Sequence, residues 1–207
     1  MNIYTEKKAE RFLQDNKFSV VKSVFVRNEE RLKSSLRKLK FPVVMKVSGS
    51  KIIHKNKIKG VIVGISNYDE VRESFKKLKK IKGFEEMIIQ PEIHGEEFLI
   101  GIKKTPEFGH SIVFGAGGVY TEKLNDVSFR VCDITKQDAR EMISEVKAGK
   151  NLKNIERDKI INNLLKLCKL VEKYPFIKEL DINPLIVKGA TAKVVDARIV
   201  WSESQKN

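Results

Sequence analysis

The stretch from Phe41 to Ile65, FPVVMKVSGSKIIHKNKIKGVIVGI, restricts the possible folds of this chain more than any other. Two apolar runs, Val43 to Val47 and Val61 to Ile65, are too short for a buried helix. They are rich in β-branched residues and bounded by Gly and Ser, which suits a pair of buried strands. The first carries Lys46, and the loop between them crowds Lys51, His54, Lys55, Lys57 and Lys59 together. A lysine within such a strand, beside a basic loop, suits an anion. Histidine is the side chain best able to gain and lose a charge near neutral pH. The segment therefore reads as a phosphate-handling hairpin. A plainer reading fits the same residues: alternation exposes about every second strand position, and lysine-rich loops are commonly just solvated.

The rest of the chain supplies a frame for this hairpin. Thr5 suits the cap of a first helix with Ala9, Phe12 and Leu13 on one face. A strand is expected over Phe18 to Val26. A second helix is expected from Asn28, with Leu32, Leu36 and Leu39 on one stripe, stopped by Phe41-Pro42. After the hairpin, Asn67 and Glu70 resemble a capping box for a helix carrying Val71, Phe75 and Leu78. Alternating strands and helices predict an α/β layer for this first lobe. Further strands are expected over Met87 to Gln90, Glu97 to Lys103, His110 to Phe114, Val119 to Leu124 and Ser128 to Cys132. Helices follow, one from Thr135 with Ala139, Met142, Ile143 and Val146 inside, and one from about Asp158 to Lys173. Two closing strands, Lys178 to Ile182 and Lys193 to Val200, flank an expected turn at Asn183-Pro184. The fold class is α/β (α+β) in two lobes, residues 1–86 and 87–207, the second being a mostly antiparallel sheet with helices on one side.

The 207 residues include 41 Lys and Arg against 27 Asp and Glu, a formal charge of +14. That excess favours polyanionic partners: nucleotides, coenzyme A, nucleic acid or an acidic protein face. The two cysteines, Cys132 and Cys168, lie far apart and lack a paired metal spacing, so reduced thiols in a cytoplasmic protein are expected. No apolar run is long enough to span a bilayer, and the N-terminus lacks the apolar centre of a signal peptide.

Three groups in the second lobe carry chemistry. Asn183 stands at an expected strand end, with Asp196 thirteen residues on in another strand. An amide oxygen and a carboxylate on adjacent strands can hold a hard cation such as Mg²⁺, which completes its shell with water and phosphate. Equally, Asn183 can serve its turn and Asp196 can pair with Arg198. The run Gly115-Ala116-Gly117-Gly118 can bring backbone N–H groups to phosphate or simply form a hairpin turn. Arg130 can clamp a phosphate as a planar, permanently charged donor or lie on the surface. Between the lobes, Gln90 to Glu97 can offer an adenine edge the Pro91 carbonyl and the Ile93 N–H, with Glu97 accepting from ribose hydroxyls or merely exposed.

These residues together resemble the ATP-grasp β subunit of ADP-forming acetyl-CoA (acyl-CoA) synthetases, which is related to the β subunit of succinyl-CoA synthetase. The motifs that carry the resemblance are FPVVMKV at 41–47, IIHK at 52–55, FGAGGVYTEKLNDVSFR at 114–130, ELDINPLIV at 179–187 and VVDARI at 194–199. The resemblance covers nearly the whole chain. It implies a two-lobed ATP-grasp fold with the nucleotide between the lobes. It matches Lys46 to the lysine on the nucleotide phosphates, Pro91, Glu92 and Ile93 to the adenine hinge, and Glu97 to the ribose glutamate. Asn183 and Asp196 match the Mg²⁺ ligands, and Gly117, Gly118 and Arg130 fall where the fold closes over the phosphates. His54 matches the histidine that carries the phosphoryl group between a partner's phosphohistidine and the nucleotide. Lys57 and Lys59 stand where an acidic residue and a glycine are expected, and Thr105 precedes Pro106 where Asp is common.

The activity implied is reversible: acyl-CoA, ADP and phosphate give carboxylic acid, CoA and ATP through a phosphohistidine relay. A CoA-binding α subunit is implied as the partner, in an α2β2 assembly, with ATP or ADP as substrate and Mg²⁺ as cofactor. Two alternatives compete. A non-catalytic ATP-grasp regulator is opposed by the intact Lys46, Asn183 and Asp196. A basic nucleic-acid-binding module is opposed by the lack of clustered aromatic residues and of any single basic stripe. An ATP-grasp ligase of another class would need no His54 relay. His94 and His110 read as structural or solvent-facing, with no metal constellation around either.

Overall fold

A computed structural model describes residues 2–49, 52, 55, 58–118 and 126–202. The chain forms two compact units, Met1–Val20 with His94–Asn207, and Val21–Ile93. This division differs from 1–86 and 87–207 at both ends of the smaller unit. The first residues belong with the C-terminal part because strand β1 (Asn2–Ile3) pairs antiparallel with β11 (Ala197–Trp201), with Asn2 opposite Trp201. Residue 86 is no boundary because β5 (Glu86–Pro91) is a central strand of the smaller unit's sheet.

In the larger unit, Thr5 caps α1 (Glu6–Asp15) by accepting from the Lys8 N–H, as its sequence suggests. Phe12 of this helix meets Trp201 and Tyr174, with ring centroids at 5.4 and 4.9 Å, and Tyr4 lies 5.2 Å from Trp201. Offset and edge contacts of this kind add to the apolar burial. The sheet has the order β1-β11-β9-β6-β7-β8, through β6 (Glu96–Thr105), β7 (Gly109–Ala116), β8 (Val127–Val131) and β9 (Ile177–Lys188), with β10 (Thr191–Val194) also on β9. Every strand pair in it is antiparallel. Strand alternation sends Phe98, Ile100, Ile112, Phe114, Leu180 and Ile199 into one core. Helices α4 (Lys136–Glu145) and α5 (Asn154–Lys173) add Ala139, Met142, Ile143, Ile161, Leu164 and Cys168 to it. A capping box between Thr135 and Asp138 opens α4.

In the smaller unit, the strands β2 (Val24–Val26), β3 (Val43–Ser48), β4 (Val61–Ile65) and β5 lie in the order β2-β5-β3-β4 and pair antiparallel. The hairpin expected around Lys46 is β3 and β4. Val43, Met45 and Ile65 share a core with Leu32, Leu36, Val71, Phe75 and Leu78 of α2 (Leu32–Leu36) and α3 (Tyr68–Leu78). Asn67 caps α3 through the Glu70 N–H, while Glu70 accepts from Ser66 and Asn67 in return.

Four expected elements differ. Only Val24–Val26 of the stretch 18–26 is strand. Val20 instead makes a single parallel bridge to Val194, because the chain changes units after it. The helix expected from Asn28 is a 3₁₀ turn, Glu29–Arg31, followed by the five residues of α2; Asn28 makes no side-chain cap, and the Ser34 hydroxyl turns back onto the Arg31 carbonyl. Asn183-Pro184 is not a turn: β9 runs through it with a cis peptide bond. The closing strand expected over Lys193 to Val200 is broken at Val195-Asp196 into β10 and β11. The strand expected over Val119 to Leu124 lies outside the described residues. Among the described residues, no helix is long and apolar enough to cross a membrane.

Candidate nucleotide and metal site

The larger unit gathers Glu97, Gly117, Gly118, Asn183 and Asp196 through backbone bonds. β6 and β7 run antiparallel as far as Phe98 and Ala116, and the Gly117 N–H then closes the ladder on the Glu97 carbonyl at 2.8 Å. A β-carbon at Gly117 would stand 2.6 Å from the Phe98 backbone. Glycine at 117 is therefore what lets the loop leave the sheet this close to β6. Gly118 has φ +70°, in the left-handed region, and a β-carbon there would overlap the Glu97 carboxylate. Its N–H donates to the Asn183 side-chain oxygen at 2.9 Å. Asn183 in turn donates its own N–H to the Asp196 carbonyl at 3.2 Å. The break between β10 and β11 thus sets Asp196 beside Asn183, although the sequence had suggested a position inside a strand.

Arg198 lies 3.5 Å from Glu179. Asp181, next to this pair on β9 and opposite both Arg198 and Gly101, was missed by the sequence reasoning. Desolvation, then the neighbouring charges of Glu179 and Asp196, push its carboxyl up to about 6, with Arg198 opposing. Its position within ELDINPLIV was the available signal.

These donors fit magnesium. Among the described residues no three His, Cys, Asp or Glu side chains gather into a metal cage. An amide oxygen and a carboxylate at neighbouring backbone positions match a cation that takes few protein oxygens and keeps water and phosphate for the rest. The crowding of Asp181, Glu179 and Asp196 is the kind of negative potential a divalent cation relieves.

Arg130 takes no part in this arrangement. It stands opposite Ile112, on the core-facing side of β8, and its guanidinium bonds to Glu145 of α4, with Glu141 at 4.0 Å. Ser128 also bonds to Glu145, and the Phe129 carbonyl accepts from Arg130 at 2.8 Å. Glu145 holds the Arg130 charge more firmly, and Arg130 first, then Ser128, hold the Glu145 carboxyl below the usual carboxylate range. Arg130, expected as a phosphate clamp, thus braces β8 to α4 in this structure.

In the smaller unit, Lys46 lies opposite Val61 and Ile88 and is only 7% exposed. It occupies the sheet face opposite Met45, away from the apolar core formed with α2 and α3. Pro91 ends β5 opposite Val43. The Glu92 N–H donates to the Pro42 carbonyl at 2.8 Å, and the Glu92 carboxylate accepts from the Gly64 N–H at 2.8 Å. Both groups bind back to the β3–β4 hairpin, a role the sequence did not suggest for the side chain. Ile93 is half-buried. His54 and Lys57 lie outside the described residues.

A cavity of about 310 Å³ lies elsewhere, lined by Phe108, His110, Val131, Cys132 and Pro175 among others, and contains none of the expected site residues. The cavity is mostly apolar and lacks the polar groups gathered around Asn183, so it is not the candidate site.

A model of the ATP-grasp domain matches residues 1–200. The chain belongs to the ATP-grasp family. The β subunit of the ADP-forming acetate–CoA ligase II of Pyrococcus furiosus, to which it is similar, is 39% identical over 179 residues, 77% of this chain and 75% of that subunit. The ADP-forming acetate–CoA ligase II of Archaeoglobus fulgidus is 39% identical over 207 residues, 97% of this chain and 31% of that protein. This ATP-grasp chain therefore spans about a third of the Archaeoglobus relative's length. A solved acetyl-coenzyme A synthetase 1 from Ca. Korarchaeum cryptofilum, in complex with coenzyme A and Ca-AMPCP, matches with a TM-score of 0.85 at 31% identity, over 97% of this chain and 93% of that one.

Proposed function

We propose that this chain is the nucleotide-handling β subunit of an ADP-forming acyl-CoA synthetase. The observation that supports this most is the bond from Gly118 to Asn183, which joins the glycine loop to a candidate metal ligand in a chain 39% identical to a named β subunit. In this reading a CoA-binding α subunit is the partner, in an α2β2 assembly. On it, phosphate displaces CoA from acyl-CoA to give acyl phosphate and free CoA. A histidine of that subunit attacks the phosphorus and releases the carboxylate. His54 then takes the phosphoryl group, and a β-phosphate oxygen of ADP takes it from His54 to give ATP.

Phosphoryl transfer needs alignment and charge neutralisation more than acid–base strength. Lys46 supplies a buried positive charge for the phosphates. The Pro91 carbonyl and Ile93 N–H read the adenine edge, and Glu97 accepts from the ribose. Gly117 and Gly118 let backbone approach the phosphates without a side chain in the way. Asn183 and Asp196 are the residues that would hold Mg²⁺, which when bound neutralises charge on the phosphate oxygens.

Two measurements test this reading. Calorimetric titration with ADP and Mg²⁺ should give saturable binding that Lys46→Ala removes. Incubation with the CoA-binding partner, acyl-CoA and phosphate, without ADP, should leave an acid-labile phosphate on this chain. The same label on His54→Ala would refute the relay.

A further inference from the structure

We propose that Glu92 is a positioning residue whose carboxylate ties the hinge Pro91–Ile93 to the far strand of the Lys46 hairpin. This deepens the nucleotide-binding reading above and rests on it. In the sheet order β2-β5-β3-β4, β3 separates β5 from β4, so no ladder bond joins the hinge strand directly to β4. The Glu92 side chain crosses that gap to reach Gly64, 28 residues away in sequence, at 2.8 Å. Its backbone N–H holds the Pro42 carbonyl at the start of β3, also at 2.8 Å. Val43, the next residue, lies opposite both Pro91 and Ile65. One residue thus fixes the end of β5 to both strands of the hairpin that carries Lys46.

Gly64 suits the receiving end. Its φ is +71°, a conformation side chains disfavour, and it offers its N–H at an exposed position. A carboxylate accepting a backbone N–H makes a charge-assisted bond, stronger than a neutral one. β5 ends at Pro91, so beyond it the hinge has no strand pairing to set its direction. The negative charge itself is of no use to an anionic nucleotide; what matters is the acceptor oxygen. A glutamine at 92 keeps that oxygen and loses the charge.

Glu92→Ala and Glu92→Gln test the role in the intact chain. Hydrogen exchange of the Gly64 amide, without nucleotide, reads the tie itself: it should speed up in E92A and stay protected in E92Q. ADP·Mg²⁺ affinity reads its consequence: E92A should bind about tenfold more weakly and E92Q within about twofold of wild type, as loss or retention of one charged-group bond implies. Loss of affinity in both variants would mean the charge matters and would overturn the proposal. An E92A protein that melts earlier but binds ADP·Mg²⁺ as tightly as wild type would reduce Glu92 to a purely structural role and overturn it too. Failure of wild type to bind nucleotide while Gly64 protection follows the expected pattern would defeat the functional reading but confirm the tie, so the two failures are distinguishable.

Discussion

Gly118 donates its backbone N–H to the side-chain oxygen of Asn183 at 2.9 Å, so the glycine loop and a candidate metal ligand are held by one bond. Alanine at 118 would be strained at φ +70° and would displace the Glu97 carboxylate. Gly118→Ala should lower stability by roughly 1–3 kcal/mol and weaken ADP·Mg²⁺ binding. Gly109→Ala is the control. Its φ is +66° with open space around the new carbon, so it should lose stability alone. Thermal unfolding and calorimetry on both variants separate strain from the lost site geometry.

Lys46→Met keeps a long, buried side chain and removes the charge. If Lys46 contacts the phosphates, ADP affinity should fall about 10- to 100-fold, the range expected for one charged hydrogen bond. Unchanged affinity in a folded variant would remove Lys46 from the site.

Asn183→Ala and Asp196→Asn should each abolish the gain in ADP affinity that Mg²⁺ brings. Titrations with and without Mg²⁺ would show it. Asp196→Asn should leave metal-free binding near wild type, whereas Asn183→Ala should weaken it as well, because Gly118 loses its acceptor. A retained Mg²⁺ effect in both would place the metal elsewhere.

How much of this was visible in the sequence depends on how far apart the partners lie. The β3–β4 hairpin was legible because its apolar runs are short, rich in β-branched residues and bounded by Gly and Ser, and the caps at Thr5, Asn67 and Thr135 were legible because they act within one helical turn. Arg130 was not: the strand gives it a face, but only the packing of α4 shows that the face carries Glu145. The tie from Glu92 to Gly64 and the approach of Asp196 to Asn183 depend on strand order and on a break in a strand, neither of which leaves a local pattern. The Lys193–Val200 run reads as one strand because Asp196 is its single acidic residue among apolar neighbours.

The Arg130–Glu145 brace should make stability depend on acid. Glu145 titrates below the usual carboxylate range when folded, because Arg130 and then Ser128 bond its ionised form. Its contribution is therefore present above the unfolded value of 4.5 and lost as pH falls through the lower, folded one. Glu145→Gln should flatten the fall of melting temperature below about pH 4.5 while changing ADP affinity little at pH 7. A parallel drop in ADP affinity at pH 7 would restore Arg130 to the nucleotide site.

The pairing of Asn2 with Trp201 also orders events on the ribosome. Val21–Ile93 holds all four of its sheet strands within one continuous span and can form once that span has emerged. Helix α1 and strand β1 must wait for β11, about 200 residues further along the chain, before their apolar side chains find cover. Until then Leu13 and Phe12 remain available to chaperones, and the larger unit, with its long-range closure, is the slower of the two to assemble.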